Sequence, residues 1–449
     1  MRRTVGDWVA LIGTALLATD PTFLLTTCFD WGPVALQHFL LVAGVLLLLT
    51  GGGIQLPSRL VLAFFLFGLG MWDKVVFAWP LIALAVALTV VFRRLVANAL
   101  NRRRAALAAI GFCLGCLPLI EYNVANPLVT LRTNVWGPGT VASQFRFLRL
   151  SFEGSALFGW LSLIHAGPHP AEAGGMLHQA SAWLSTVTRH PQHTLLWSAF
   201  LAALLITLVL SVTQRRASSG NALSQARKYL LIAILTMIVF WALMVYPYNG
   251  AGGLQHTALL WPLPQFIIGT ALVGISCRFR RFVSVAVNIA VTVLLLVNLL
   301  VVNEYYTELA TNGPTVQWSD ASYALTDSLE RLRPRQVVLT DWGLLNTVRL
   351  LDRGKLPLVD LSFLLDNRRP FSAGNETIRR YWLSQPGTVF AGHTEGNEML
   401  PRVNANLAAF TRDNKYDKQM IETVHDHNGR AIFEVFGFGR SSLFRQSPR

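Results

Sequence analysis

Nine apolar runs divide the first 302 residues of the chain. They occupy residues 8–19, 34–50, 58–72, 75–92, 105–121, 194–213, 228–247, 255–276 and 282–302. A helix that crosses a bilayer needs about 20 apolar residues, and several runs approach that length. Across the chain 53% of residues are hydrophobic and only 14% are charged, which excludes an ordinary soluble protein. The sequence therefore predicts a mainly α fold, a polytopic bundle of about nine transmembrane helices.

Basic residues are concentrated in alternate connections between these runs. They are Arg2, Arg3, Arg59, Arg93, Arg94, Arg102, Arg103, Arg104, Arg215, Arg216, Arg227, Lys228, Arg278, Arg280 and Arg281. Positive loops stay on the cytoplasmic side, so the other connections face outward. The net charge of +14 thus predicts topology and membrane-lipid contact, and no nucleic-acid partner is expected. We expect a multi-pass protein of the cell inner membrane.

The composition changes near residue 303, which divides the chain into two predicted domains. Residues 1–303 form the membrane domain, with a long outer loop at 122–193, and residues 304–449 form a soluble domain outside the cytoplasm. In the latter, a helical pattern from Trp318 precedes a β-branched run, Gln336 to Thr340. A second short run, Leu356 to Leu361, follows another helical pattern. This alternation predicts a small α/β domain with parallel strands. Asp341, at a strand end, is as compatible with a loop cap as with a ligand.

Two carboxylates lie in the outward loop DPTFLLTTCFDWGP, residues 20–33. Asp30 precedes Trp31, Gly32 and Pro33 at the start of a helix, and an N-cap explains it locally. A cap that faces a polar cavity can also bind a sugar hydroxyl or a divalent cation. Asp20, before Pro21, is interpreted as a helix-ending residue.

Other candidates lie at the outer ends of later runs. Asp73 and Lys74 interrupt two apolar runs, where a charge costs roughly 2.5–3.5 kcal/mol on the insertion scale. They form either a tight-turn pair that reaches the membrane surface or a site where Lys74 binds a lipid phosphate. His256, in YPYNGAGGLQHTALL, is compatible with interfacial packing or with a sugar pocket, because aromatic and amide groups bind sugars.

Cys113 and Cys116 form a CxxC pattern inside the apolar run AIGFCLGCLPLI. Such a pattern can hold zinc or form a redox pair, but these require polar or accessible surroundings. We interpret both as small packing residues and assign no metal ligand.

The run ATDPTFLLTTCFDWGPVAL, followed by a span and then GLGMWDKVVFAWPLIAL, resembles the GT-C membrane glycosyltransferases. The similar branch is glycosyltransferase family 39-like, which contains protein O-mannosyltransferases and the lipid A aminoarabinose transferase. Asp30 matches the acid of the second outer loop and Lys74 matches the corner lysine. The sharp part of the resemblance covers about 70 residues, whereas the layout agrees over most of residues 1–300.

The resemblance implies transfer of a sugar, with inversion, from a polyprenyl-phosphate donor to an acceptor hydroxyl at the outer membrane face. Asp30 is then the candidate catalytic residue, and Lys74, Asp73 and His256 are candidates for substrate binding. No organic cofactor is implied, and either cationic side chains or a divalent cation would stabilise the leaving phosphate. The acceptor, a lipid, glycan or protein, is left open.

This resemblance also implies two further helices before the first run, with an acidic loop between them that supplies the principal catalytic carboxylate. The sequence is therefore expected to be a truncated copy or a protein without ordinary transferase activity. A transporter or lipid-linked-sugar flippase is the alternative, with Asp30, Asp73 and Lys74 along its path. A transferase requires Asp30, Lys74 and His256 to converge on one outward cavity, and a flippase requires a polar path to the cytoplasmic side.

Overall fold

The computed structural model describes residues 6–29, 34–50, 55–99, 101–127, 130, 141–165, 174–214, 221–245, 254–278, 281–365 and 373–440. The chain forms two compact units. The first, which we call the helical unit, comprises Met1–Leu157 and Leu184–Glu304. The second, the sheet unit, comprises Phe158–Trp183 and Tyr305–Arg449. The sequence predicts a single outer loop of the first domain at 122–193, whereas Phe158–Trp183 belongs to the sheet unit.

Apolar helices make up the described part of the helical unit. In chain order the first fifteen helices are α1 (Asp7–Thr19), α2 (Pro21–Cys28), α3 (Val34–Leu49), α4 (Pro57–Asp73), α5 (Ala78–Val91), α6 (Arg93–Ala99), α7 (Arg102–Gly115), α8 (Leu117–Ala125), α9 (Val141–Phe152), α10 (Met176–Val187), α11 (Leu196–Gln214), α12 (Asn221–Val245), α13 (Leu254–Thr257), α14 (Leu263–Arg278) and α15 (Arg281–Asn312). Short 3₁₀ turns at Val75–Phe77 and Ala258–Leu260 precede α5 and α14. The last residues of α10 and the first part of α15 belong to the helical unit, and the remainder of each belongs to the sheet unit.

Within the described ranges, three segments are long and apolar enough to cross a membrane, namely Arg227–Val245, Leu254–Ser276 and Val283–Asn312. Two further spans are possible if each bent helix pair counts as one, with α1 and α2 bent by 60° and α7 and α8 by 68°. The other apolar helices are shorter, at Val34–Leu49, Val75–Val91 and Leu196–Leu210. The predicted number of nine spans is therefore not shown, because these helices fall below the roughly 20 residues of an untilted span.

Apolar side chains cover the outer faces of several of these helices. On α3, Phe39, Val42, Leu46 and Leu49 are exposed at three- and four-residue spacing, while Gln37 on the opposite face is buried. A helix face that exposes large apolar groups in water is unfavourable, so this pattern is typical of contact with lipid. The structure thus agrees with a membrane-embedded helical unit.

The core of the helical unit is aromatic. Trp261 is almost fully buried and its ring lies 5.3 Å from that of Phe152, while Trp79 meets Phe240 edge to face at 6.2 Å. Such pairs add about 0.5–1.5 kcal/mol each to the burial of their surface. The first pair joins α9 to the segment that precedes α14, and the second joins α5 to α12.

Close backbone contact joins α4 to α7 through glycines. A Cβ atom on Gly115 would lie 2.2 Å from the carbonyl oxygen of Phe65, and one on Gly111 would lie 2.4 Å from that of Val61. These two glycines are four residues apart, the small-residue spacing that lets membrane helices approach. Cys116 is buried beside them and Cys113 is exposed, and both thiols are free.

The sheet unit contains a mixed sheet covered by helices. Its remaining elements are α16 (Ala321–Leu332), β1 (Gln336–Leu339), α17 (Leu344–Leu351), β2 (Leu358–Asp360), α18 (Ser362–Leu365), α19 (Ala373–Ser384), β3 (Thr388–His393), α20 (Val403–Asp413), β4 (Tyr416–His425) and β5 (Ala431–Arg440). A 3₁₀ turn at Val316–Trp318 precedes α16. The segment from Phe158 packs against the end of α15, where its ring stacks on Tyr305 at 3.7 Å and the Leu163 N–H donates to the Gly313 carbonyl at 3.1 Å.

The strand order is β2-β1-β3-β5-β4. Val337 pairs with Leu358, and β1 also pairs in parallel with β3, which confirms the parallel strands predicted at 336–340 and 356–361. The sheet continues as an antiparallel half, because β5 runs antiparallel to both β3 and β4. That half was missing from the sequence-based prediction.

Candidate functional site

The first turn of α3 and the last turn of α4 meet at the Asp73–Lys74 corner. Helix α4 ends at Asp73, and Lys74 is extended, with φ −159° and ψ 125°, before the chain turns into the 3₁₀ segment. The corner is tight because the fully buried ring of Phe77 occupies the space next to Gly70, where any Cβ atom would lie 2.4 Å from it. The predicted corner at these charges is therefore present.

Gln37 of α3 holds this corner in place. Its side chain is 1% exposed, and Nε2 donates to the Lys74 carbonyl oxygen at 3.3 Å. Burial raises the pKa of Asp73, an effect opposed by the interaction with Gln37 and by the positive charge of Lys74. The Oδ2 atom of Asp73 is buried and has no hydrogen-bond partner within the described residues.

Lys74 is half-buried at this corner. Burial lowers the pKa of its ammonium group, and the neighbouring Asp73 charge opposes that shift. Within the described ranges no salt bridge reaches the Lys74 ammonium. An incoming anion would therefore meet a partly desolvated cation, whose interaction with phosphate is stronger than that of a lysine in water.

His38 connects the corner to the region of His256. Its Nδ1 lies 2.8 Å from the Val34 carbonyl oxygen and its Nε2 lies 3.0 Å from that of Ala258. A neutral imidazole carries one N–H, so it can donate to only one of these oxygens at a time. The ring also meets Phe23 edge to face at 5.3 Å.

His256 lies two residues before Ala258 and is 9% exposed. Its ring packs edge to face on Trp79 at 5.9 Å. Since Trp79 follows the Lys74 corner by five residues, His256 and Lys74 are brought to the same end of the helical unit. The packing interpretation of His256 is thus realised, and its proposed role in substrate binding stays a prediction.

Asp20 contributes more than the helix end that the sequence indicated. Its carboxylate is 1% exposed and caps α2 by accepting from the Phe23 N–H at 3.0 Å. The Trp261 indole and the Gln265 amide both donate to its other oxygen, each at 2.7 Å. Three donors satisfy this buried charge, so Asp20 fixes the bend between α1 and α2 and the start of α14.

The predicted catalytic residue, Asp30, belongs to the segment 30–33, which lies outside the described residues. Tyr246, Tyr248 and Asn249, at the start of YPYNGAGGLQHTALL, also lie outside them. Its role stays a prediction. Sequence reasoning missed Gln37 and His38, although two polar residues inside the apolar run VALQHFLLV are a signal of function or of a polar contact. Across the described ranges, no three His, Cys, Asp or Glu side chains are grouped as a metal site requires.

We compared the chain with known proteins. No protein-family model matches it, and no curated protein is significantly similar to it.

Proposed function

We propose that this chain is an integral membrane glycosyltransferase that moves a sugar from a polyprenyl-phosphate donor to a lipid, glycan or protein acceptor at the outer membrane face. The observation that carries the proposal is the half-buried ammonium of Lys74, which has no salt bridge within the described residues and is held at a helix corner by Gln37. A phosphate on an isoprenoid is an anion that arrives from the lipid phase at this depth. Lys74 supplies the compensating charge.

The proposed transfer requires two catalytic contributions. The acceptor hydroxyl must lose a proton to a base, and the polyprenyl phosphate must leave with its negative charge stabilised. Lys74 serves the second need, because the bond to the sugar breaks with its electron pair left on the phosphate, and the attraction of the ammonium grows with that negative charge. Asp30 is the proposed catalytic carboxylate, which binds a sugar hydroxyl or a divalent cation. Asp73 and His256 are proposed to line the substrate region.

Gln37 and His38 are proposed as positioning residues for this site. Gln37 donates to the Lys74 carbonyl oxygen, and His38 donates to that of Ala258, near His256, in the tautomer with its proton on Nε2. A rigid arrangement keeps the substrate groups within the narrow geometry that transfer needs.

A binding experiment with the full chain in lipid nanodiscs tests the proposal. The probe is a long-chain polyprenyl monophosphate, with Lys74→Ala as the test variant. We expect binding roughly ten- to hundredfold weaker, because a hydrogen bond to a charged group contributes about 1.5–3 kcal/mol and each 1.4 kcal/mol is tenfold. Lys228→Ala is the matched control, since Lys228 lies on α12 over the Phe92 ring, away from the corner.

An unchanged affinity in Lys74→Ala, or an equal loss in both variants, would refute the phosphate role. Proteoliposomes loaded with a polyprenyl-phosphate sugar separate the two function classes. Transfer of the sugar to an added acceptor supports the glycosyltransferase. Movement of the intact lipid between leaflets without transfer would instead identify a flippase.

A further inference from the structure

Two buried ionisable residues meet at the carboxyl edge of the sheet unit. Asp341 follows β1 and His393 ends β3, and these parallel neighbours bring their ends to the same edge. Nδ1 of His393 lies 2.8 Å from Oδ2 of Asp341, and the two side chains are 4% and 0% exposed. Nothing in the proposed transfer reaction uses this pair.

The carboxylate of Asp341 is held by backbone groups as well. It accepts from the N–H groups of Trp342 and Met399, each at 2.7 Å, and from that of Leu400 at 3.0 Å. An ionised carboxylate can only accept, so Nδ1 of His393 is the donor in this contact. In a neutral imidazole that donates through Nδ1, Nε2 carries a lone pair.

Nε2 of His393 makes no hydrogen bond within the described residues, and it is not among the side-chain nitrogens sealed from solvent. A fixed, mostly buried acceptor with a small opening to solvent can bind one donor group from a ligand. The surface pair Asp320–His427 has the same 2.8 Å contact, but its side chains are 46% and 55% exposed. It provides a natural comparison.

The position of the pair in the sheet agrees with a binding site. Strand β2 lies on one side of β1 and strand β3 lies on its other side. The order in which the chain adds strands to the sheet therefore changes direction between β1 and β3. Val348 of α17 and Leu383 of α19 pack in separate cores on the two faces. In α/β sheets, ligands bind at the carboxyl ends of the strands where such a change occurs.

A further group at this edge indicates the kind of ligand. Trp342 follows Asp341 and is 48% exposed. A lone-pair acceptor and an exposed indole are groups by which proteins bind sugars, because sugar hydroxyls pair with polar atoms and aromatic rings pack on the apolar sugar face.

We propose that this edge of the sheet unit binds a neutral saccharide, one of whose hydroxyl groups donates a hydrogen bond to Nε2 of His393. The site is separate from the residues proposed to hold the donor phosphate, so it stands or fails independently of the transfer reaction. Trp342 contributes an aromatic surface beside it.

Chemical protection tests the site in the full chain without any substitution. Diethyl pyrocarbonate modifies accessible imidazole nitrogens, and mass spectrometry of peptides measures the modification of each histidine. We expect slow modification of His393, slowed several-fold further by at least one saccharide from a panel of glucose, galactose, mannose, N-acetylglucosamine and their disaccharides. Modification of His427 should not change. Equal modification of His393 with and without every member of the panel would overturn the proposal.

Variants give a second, direct measurement. Saturation-transfer NMR with the protecting saccharide should lose its signal in His393→Phe and keep it in His427→Phe, because only His393 offers the buried acceptor. Both variants should bind polyprenyl monophosphate normally, which distinguishes failure of this site from failure of the proposed function. Retained saccharide signal in a folded His393→Phe protein would overturn the proposal, and if that variant does not fold, the protection result decides.

Discussion

The indole N–H of Trp261 donates to the carboxylate of Asp20 across 2.7 Å, although the two residues are 241 positions apart in the chain. The contact joins the bend between α1 and α2 to the segment that begins α14. Since Gln265 donates to the same oxygen and the Phe23 N–H to the other, one carboxylate organises three parts of the helical unit.

Replacement of Asp20 by Ala should therefore be strongly destabilising. The change removes a helix cap, which contributes about 1 kcal/mol, and leaves two buried donors unpaired at about 1–3 kcal/mol each. We expect a thermal unfolding midpoint lower by several degrees for protein in detergent, with a smaller decrease for Asp20→Asn, which keeps one acceptor oxygen. Glu121→Ala, an exposed acid of the same unit, is the control. An Asp20→Ala midpoint equal to the control would contradict the assigned role.

Replacement of Gly115 by Ala should separate α4 from α7. The new methyl group would lie 2.2 Å from the Phe65 carbonyl oxygen, a backbone atom that cannot rotate away, and overpacking of this kind costs about 1–3 kcal/mol. Thermal unfolding in detergent measures the loss. Gly274→Ala is the matched control, because a Cβ atom there meets only a flexible Leu210 methyl group at 3.2 Å. Similar midpoints for the two variants would show that the helix contact is not tight.

Binding of a polyprenyl monophosphate should weaken as pH rises, and earlier than for an ordinary lysine. Burial lowers the pKa of Lys74 below its usual 10.5, so the ammonium is lost as pH rises through that lowered value. The phosphate stays fully charged above about pH 7, since its second pKa is about 6. Affinities measured between about pH 7 and pH 10 should decline for the native chain and stay level for Lys74→Arg, which remains charged. An equal decline of affinity with pH in the native chain and in Lys74→Arg would exclude Lys74 as the group that titrates.

Asp30→Asn should abolish sugar transfer without preventing membrane insertion. An amide keeps the size and the helix-capping ability of the residue but removes its charge. Transfer is measured in proteoliposomes, and insertion by extraction with alkaline carbonate. Asp327→Asn, an exposed acid on α16, should leave transfer unchanged. If turnover persists in Asp30→Asn, the residue is only a cap.

The apolar runs predicted where helices lie, and β-branched residues predicted the first two strands. The later strands were missed for a physical reason. Strand β4 forms the sheet edge and exposes most of its side chains, so YDKQMIETVH lacks a clear buried face. Strand β3 is a short apolar segment whose sequence, TVFAGH, does not distinguish it from a buried helix.

Charges inside apolar sequence marked Asp73 and Lys74 correctly as the corner of a helix pair. The contacts of Gln37 and His38 could not be predicted in the same way, because their partners, Lys74 and Ala258, are 37 and 220 residues away. Long-range pairing of neutral polar groups leaves no periodic pattern in the sequence. The same holds for Asp341 and His393, which the order of the parallel strands brings together.

The discontinuous sheet unit has a consequence for biosynthesis. Residues from Phe158 to Trp183 leave the ribosome first, but their partners, beginning with Tyr305, follow about 120 residues later. At about 5–20 residues per second, this early segment waits on the order of 10 s while the intervening hydrophobic helices are made. During that interval the Phe158 ring is without its stacking partner, so this apolar surface stays uncovered until α15 has been made.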